Sequence, residues 1–307
     1  MTVQKTLEPK RSNRDATLYE EHFGLSARPF RTVPDPGFLF LSEGHDDALT
    51  MLRYGLLTRA PVTVLTGDVG LGKTTLIRQI LGELSDRERV GLVSNFQQGR
   101  GDLLHWVLMA LDAEFDAGAS HVDLFRQFQD LLIRAYSEGG RVVLIFDEAQ
   151  NLGIRALEEL RMLSNINADK DDVLQIVLVG QPDLRDLLNR DELRQFAQRI
   201  NADFDLKPLR AKETEGYIRK RLATAGADRE IFTPEAMNQI HRATGGVPRL
   251  INVLCDMAMV YSYADGSRMV DEAVLLDFLS CARRRGTYRQ FSTGEASPRL
   301  VSTPVGA

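Results

Sequence analysis

The stretch VTVLTGDVGLGKTTLIRQIL, residues 62–81, decides how the rest of the chain is read. Residues 62–66 form a short β-branched run with a strand's composition. Glycines follow at 67, 70 and 72, and from Lys73 the pattern turns helical. Gly67–Thr74 fits G-x-x-x-x-G-K-[ST] in full, in a strand–loop–helix setting. Each part has a physical reason. Glycines let the backbone turn tightly and aim its amides at phosphate oxygens. A helix opening at Lys73 points its N-terminal amides at the same anion. The lysine reaches the β- and γ-phosphates, and Thr74 is a ligand for Mg²⁺. The segment therefore reads as a phosphate cradle made by Gly67, Asp68, Val69, Gly70, Leu71, Gly72, Lys73, Thr74 and Thr75.

A second signal lies downstream in RVVLIFDE, residues 141–148. An apolar strand delivers Asp147 and Glu148 to its carboxyl end, where ligands bind in open α/β sheets. Asp147 is the expected Mg²⁺ partner, and Glu148 the general base for an attacking water. Two acids after a strand are often only a solvated strand end. Beside a phosphate-binding loop, with one strand between, the pair reads as a nucleotide hydrolysis site. The chain has no N-K-x-D motif of the kind that reads guanine, which favours ATP.

Composition fits this reading and removes others. The chain has 307 residues, 43% of them hydrophobic, enough for a sizeable core. Its formal net charge is −5, so bulk charge does not favour nucleic acid. Cys255 and Cys281 sit in helix-like apolar segments and read as small core residues, which fits a reducing compartment. No apolar run approaches a membrane span, and the N-terminus lacks a signal-peptide core. The expected location is the cytoplasm. The five histidines are scattered and read as surface or packing residues.

Strand-like runs at 62–66, 89–95, 141–146, 173–180 and 202–206 alternate with helical stretches at 73–84, 101–112, 121–137, 153–165 and 183–198. Strands apolar on both faces and separated by helices predict an α/β fold, a parallel five-stranded sheet covered on both sides. From Ala211 the strand signals stop and four helices follow. Thr233 reads as an N-cap before Pro234, and Gly226 and Gly245 as helix stops. The expected organisation is a disordered arm at 1–16, a nucleotide-binding domain at 17–210, a helical lid at 211–285 and a disordered tail at 286–307.

Further polar residues fall at element ends facing the same cleft. Asn95 ends the second strand and can bond Glu148, holding it in or out of line. Gln181 follows the fourth strand and can meet the γ-phosphate or the water. Arg249, in GGVPRL, can span from the helical module onto the phosphates. Each also reads as a plain cap, turn or surface residue. Arg199 stands before the fifth strand, where a guanidinium can point into a neighbouring subunit's nucleotide; Arg194, one turn earlier, competes for that role.

Together these residues resemble an AAA+ ATPase. GDVGLGKTT is similar to Walker A, VVLIFDEAQ to Walker B and VLVGQ to the sensor-1 strand. QRI falls at the arginine-finger position and GGVPR at sensor 2. More closely, the chain resembles the general secretion pathway protein A-like (ExeA-type) ATPases. The residues that carry this are 19–56, DEAQNL at 147–152, LVGQPDL at 178–184 and GGVPRLINVLCDMAM at 245–259. The resemblance implies a P-loop three-layer sheet domain with a helical lid, ATP and Mg²⁺ as cofactors, and a homo-oligomeric ring with Arg199 acting in trans. It also implies a membrane-associated secretion, pilus or polysaccharide-export partner, reached from the cytoplasm and peripheral to the inner membrane. Related ATPases regulate DNA transposition. That leaves a second reading, a DNA-binding regulator using the basic clusters Lys10–Arg11–Arg14, Arg219–Lys220–Arg221 and Arg283–Arg284–Arg285. In similar ATPases the segment before the first strand wraps the adenine, which makes Phe30, Val33 and Tyr54 candidates for that wall; ordinary packing is the other reading of each.

Overall fold

The computed structural model describes residues 18–33, 35–85, 87–94, 96, 99, 101–116, 118–168, 171–284 and 291. The arm expected at 1–16, most of the tail expected at 286–307, Asn95, and the basic residues Lys10, Arg11, Arg14 and Arg285 lie outside them.

Five parallel strands form the sheet: β1 (Val62–Gly67), β2 (Glu88–Val93), β3 (Arg141–Phe146), β6 (Leu174–Gly180) and β7 (Ile200–Leu206). The remaining strands, β4 (Asn167–Ala168) and β5 (Asp171–Asp172), make a small antiparallel ribbon that the strand pattern did not anticipate. The sheet order is β2-β3-β6-β1-β7. In-register pairs run from Val62–Ile176 to Thr66–Gly180 between β1 and β6, and from Val142–Leu174 to Phe146–Leu178 between β3 and β6.

The largely apolar runs of β3 and β6 have a simple cause. Side chains alternate across the sheet, and both faces are covered. Val142, Leu144 and Phe146 pack with Leu174, Ile176 and Leu178 under α4 (Leu103–Ala110), α5 (His121–Ser137) and α6 (Gly153–Leu163). Val143 and Ile145 pack with Val177 and Val179 under α2 (Glu43–Leu57) and α3 (Lys73–Leu81). Gln175 is the polar exception in β6. It is buried, and its amide donates to the carbonyls of Gly55 and Ala60 at 3.0 and 3.2 Å, tying α2's end to the sheet.

The helix expected over 183–198 is broken. It runs as α7 (Asp183–Leu188), a 3₁₀ turn at Asp191–Leu193 and α8 (Arg194–Ala197). Arg190 adopts an extended conformation between them. The break lets Leu184, Leu188, Leu193 and Phe196 all enter one core, which a straight helix of that length could not do.

The helical module comprises α9 (Ala211–Thr224), α10 (Pro234–Thr244), α11 (Pro248–Ala264) and α12 (Glu272–Arg284). The Thr233 hydroxyl accepts from the Ala236 amide at 3.2 Å, and Gly245 closes α10 in the left-handed region. This module's core is larger than its own four helices supply. Tyr19 and Phe23, at the short helix α1 (Glu20–Phe23), together with Leu25 and Phe30, complete it. Cys255 is buried in it, and both cysteines are free. No helix among the described residues is long and apolar enough to cross a membrane.

Candidate active site

The loop after β1, the acids after β3 and the turn after β6 meet at the carboxyl edge of the sheet. β1 ends at Gly67 and α3 opens at Lys73, with Gly72 as its left-handed N-cap. Gly70 and Gly72 take φ of 83° and 99°, a region that disfavours any side chain. Gly70 has a second constraint. A Cβ there would come within 2.8 Å of the Arg249 Cβ, because the start of α11 lies directly on the loop. The Arg249 amide donates to the Gly70 carbonyl at 3.2 Å. The helical module thus touches the phosphate loop through backbone.

Lys73 is buried, and its ammonium donates to the carbonyls of Gly67 at 2.7 Å and Asp68 at 2.9 Å. Burial lowers its pKa, against the opposing pull of Glu148, Asp147 and Asp68. The Thr74 hydroxyl donates to Asp147 Oδ2 at 3.0 Å, so two oxygen ligands of the kind a hard divalent cation takes already converge. The opposite Asp147 oxygen accepts from the Glu148 amide at 3.0 Å.

Glu148 stands in the left-handed region at φ 56°, ψ 41°. For a residue with a side chain that costs about 1–3 kcal/mol. Its carboxylate is held by two amides: Gln150 donates to Oε2 at 2.6 Å and Gln181 donates to the same oxygen at 3.0 Å. Gln150 is fixed in turn, since its side-chain Oε1 accepts from the Gln181 backbone amide at 3.0 Å. Burial alone would raise the Glu148 pKa. The Gln181 and Gln150 hydrogen bonds and the nearby Lys73 charge outweigh it and hold the carboxyl below its usual range.

Gln181 therefore reaches this site as the sequence implied, but its amide binds the acid. Asn95 lies outside the described residues; among those, Gln150 joins Gln181 in holding the acid. Gln150 was missed in the sequence; the readable signal was an amide two positions after an acid in DEAQ. His45, read as a packing or surface residue, was missed as well. It is buried against Leu71 and Gly72.

A cleft of about 370 Å³ opens over the loop and is lined by Lys73, Thr74, Thr75, Glu148, Val69 and Arg249, among others. The exposed Arg249 guanidinium has no hydrogen-bond or ion-pair partner among the described residues. A narrower space of about 70 Å³ adjoins it, walled by Phe38, Phe40, Leu71, Tyr217 and Pro248. The expected adenine wall divides differently from its sequence reading. Val33 lines the larger cleft. Phe30 is instead buried in the helical core, edge-on to Phe232 at 5.9 Å between ring centroids. Tyr54 lies half-exposed on α2 and lines neither space.

Arg199 is half-buried at the start of β7. Its guanidinium donates to the Ser164 carbonyl at 3.0 Å, to the Ser164 hydroxyl at 3.1 Å and to the Asn165 side chain. All these partners are neutral, so no carboxylate among the described residues cancels its charge. Arg194 is exposed on α8 without a side-chain partner among the described residues. The basic run at 219–221 is no free patch. Arg219 pairs with Glu215 at 3.0 Å and Glu230 at 2.5 Å, and Arg221 is buried against the Pro29 carbonyl and the Tyr217 hydroxyl.

This geometry agrees with what the chain is similar to. Residues 57–188 match the AAA domain family model. General secretion pathway protein A of Aeromonas hydrophila is 39% identical over 290 residues, 93% of this chain and 53% of that protein. The chain thus spans about half the length of that relative. Among solved structures, the Aeropyrum pernix ORC2 protein in ADPNP–ADP complexes superposes with a TM-score of 0.62 at 21% identity, over 83% of this chain and 71% of that one. Drosophila ORC bound to DNA gives 0.64 at 15% identity, over 93% and 72%. Those structural likenesses speak to fold. The parallel sheet, the loop after β1 and the helical module give this chain the AAA+ fold, and over 93% of its length it is related to general secretion pathway protein A.

Proposed function

We propose that the chain binds ATP with Mg²⁺ in the cleft over Gly67–Thr75 and hydrolyses it to ADP and phosphate. The observation that carries this is the 3.0 Å contact between Thr74 and Asp147, with Lys73 and Glu148 on the same cleft. Thr74 and Asp147 would hold the cation, which supplies charge neutralisation on the phosphates. Lys73 would exchange its carbonyl partners for phosphate oxygens. Glu148 would take the proton of the attacking water on Oε1, the oxygen that Gln150 and Gln181 leave free. Arg249 would bring the helical module onto the phosphates. The narrow apolar space beside Tyr217 and Pro248 is suited to a planar base.

Arg199, with its charge uncancelled and its head fixed by Ser164 and Asn165, is the finger we assign to a neighbouring subunit's nucleotide in a homo-oligomer. The relative named for general secretion supports service to a cell-envelope export partner, docked from the cytoplasm. A DNA-binding role has weaker support, because Arg219 and Arg221 are already engaged.

Equilibrium binding of ATP with and without Mg²⁺ tests the first step. Wild type should bind, and Lys73→Ala should lose at least about tenfold in affinity. Thr74→Ala should bind ATP but lose most of the Mg²⁺ enhancement. Equal binding by all three proteins would remove the site assignment.

A further inference from the structure

We propose that His45 is a positioning residue for the phosphate loop, holding the peptides of Leu71 and Gly72 in their cradle geometry from the first turn of α2. The inference rests on the nucleotide reading above and names what keeps that site in shape.

His45 Nε2 lies 2.9 Å from the Leu71 carbonyl, and Nδ1 lies 2.6 Å from the Ser42 hydroxyl. A carbonyl can only accept, so Nε2 carries the proton. Burial pushes the ring's pKa down, which keeps it neutral at pH 7. A neutral ring protonated at Nε2 must accept at Nδ1, and the Ser42 hydroxyl is the donor there. The tautomer is therefore set at both ends. Ser42 is itself anchored as the N-cap of α2, its oxygen accepting from the His45 amide at 3.3 Å.

The ring also limits the loop by contact. A Cβ on Gly72 would sit 3.3 Å from Nε2, so the imidazole closes the space behind the residue that caps α3. Leu71 and Gly72 directly precede Lys73 and Thr74. A peptide that tilts there redirects the amides and the lysine together, and small misplacements of such groups are costly to binding.

The same turn of α2 is tied to the helical module. The Glu43 amide donates to the Glu213 carboxylate at 3.2 Å, and Arg210 pairs with Glu43. Glu213 also accepts from the Arg210 amide at 2.8 Å, capping α9. His45 thus braces the loop from a turn that the module itself holds.

Two variants separate positioning from bulk packing. In His45→Gln the side-chain amide nitrogen falls near the place of Nε2 and can donate to Leu71. In His45→Asn it falls near Nδ1 and cannot reach. For His45→Asn we expect KM for MgATP to rise roughly tenfold, with kcat within about twofold. Hydrogen exchange of the peptide covering 67–76 should be about tenfold faster in the nucleotide-free protein. His45→Gln should restore both towards wild type, with the two variants matched in unfolding midpoint. Unchanged KM and exchange in His45→Asn, or a Gln variant as impaired as the Asn variant, would overturn the proposal. The exchange measurement needs no nucleotide. If wild type fails to bind ATP, the nucleotide reading falls while exchange still decides whether His45 braces the loop.

Discussion

At the scale of single residues, the central feature is an acid held by amides. Glu148 is strained in the left-handed region, and Gln150 and Gln181 share its Oε2. Their donation keeps the carboxyl ionised and holds it in place, with Oε1 left open to accept a proton. Removing one donor favours the neutral acid. Gln150→Ala should therefore raise the Glu148 pKa and move the acid limb of the pH–rate profile to higher pH. The sign is fixed: a depressed carboxyl is ionised down to lower pH, and losing the cause of the depression reverses that. An acid limb that stays put or moves to lower pH would exclude Gln150 as a determinant. The convergence of Lys73, Thr74, Asp147 and Glu148 was legible because each is placed by its spacing from a strand end. Gln150 and His45 were less so, since each acts through a neighbour in space that local sequence does not mark.

At the scale of elements, the most demanding contact is between the phosphate loop and α11. Gly70 has no room for a side chain, with the Arg249 Cβ 2.8 Å from where its own would be, and its φ of 83° adds strain to any replacement. Gly70→Ala should cost about 1–2 kcal/mol of stability and weaken ATP binding by roughly tenfold or more. Denaturant unfolding and equilibrium binding measure the two effects, and a neutral result in both would mean the loop and α11 do not need this approach. The central strands β1, β3 and β6 were legible because burial on both faces leaves an almost continuous apolar run, whereas the edge strands β2 and β7 are partly exposed and carry a weaker pattern. The periodicity misread 183–198 as one helix, because helical composition alone does not reveal that four apolar residues must reach one core from a bent path. Two-residue strands such as β4 and β5 carry no period to read.

At the scale of the molecule, the N-terminal segment is part of the helical module's core, although the chain runs through the whole sheet domain between them. Asp256 on α11 fastens this closure, accepting from the Tyr19 hydroxyl and from Arg28 Nε, the latter at 3.0 Å. Asp256→Ala removes the acceptor of the buried Tyr19 hydroxyl and the carboxylate partner of Arg28, and should destabilise the fold by about 1–3 kcal/mol. An unfolding midpoint equal to wild type would show that the closure adds little. Assembly belongs to this scale too. Arg199→Ala should abolish turnover with ATP affinity nearly intact, and mixing it with Glu148→Gln should restore activity at interfaces that pair an intact acid with an intact arginine. Arg194→Ala should have the smaller effect. No recovery on mixing would argue against a contribution across subunits.

The central claim is that this cleft hydrolyses ATP with Glu148 as the base. It is tested most directly by measuring steady-state phosphate release and MgATP binding on wild type and Glu148→Gln. The account predicts turnover by wild type and a loss of about 100-fold or more in Glu148→Gln, with binding retained. Equal turnover in the two proteins, or a wild type that binds MgATP and releases no phosphate even when concentrated enough to assemble, would contradict it.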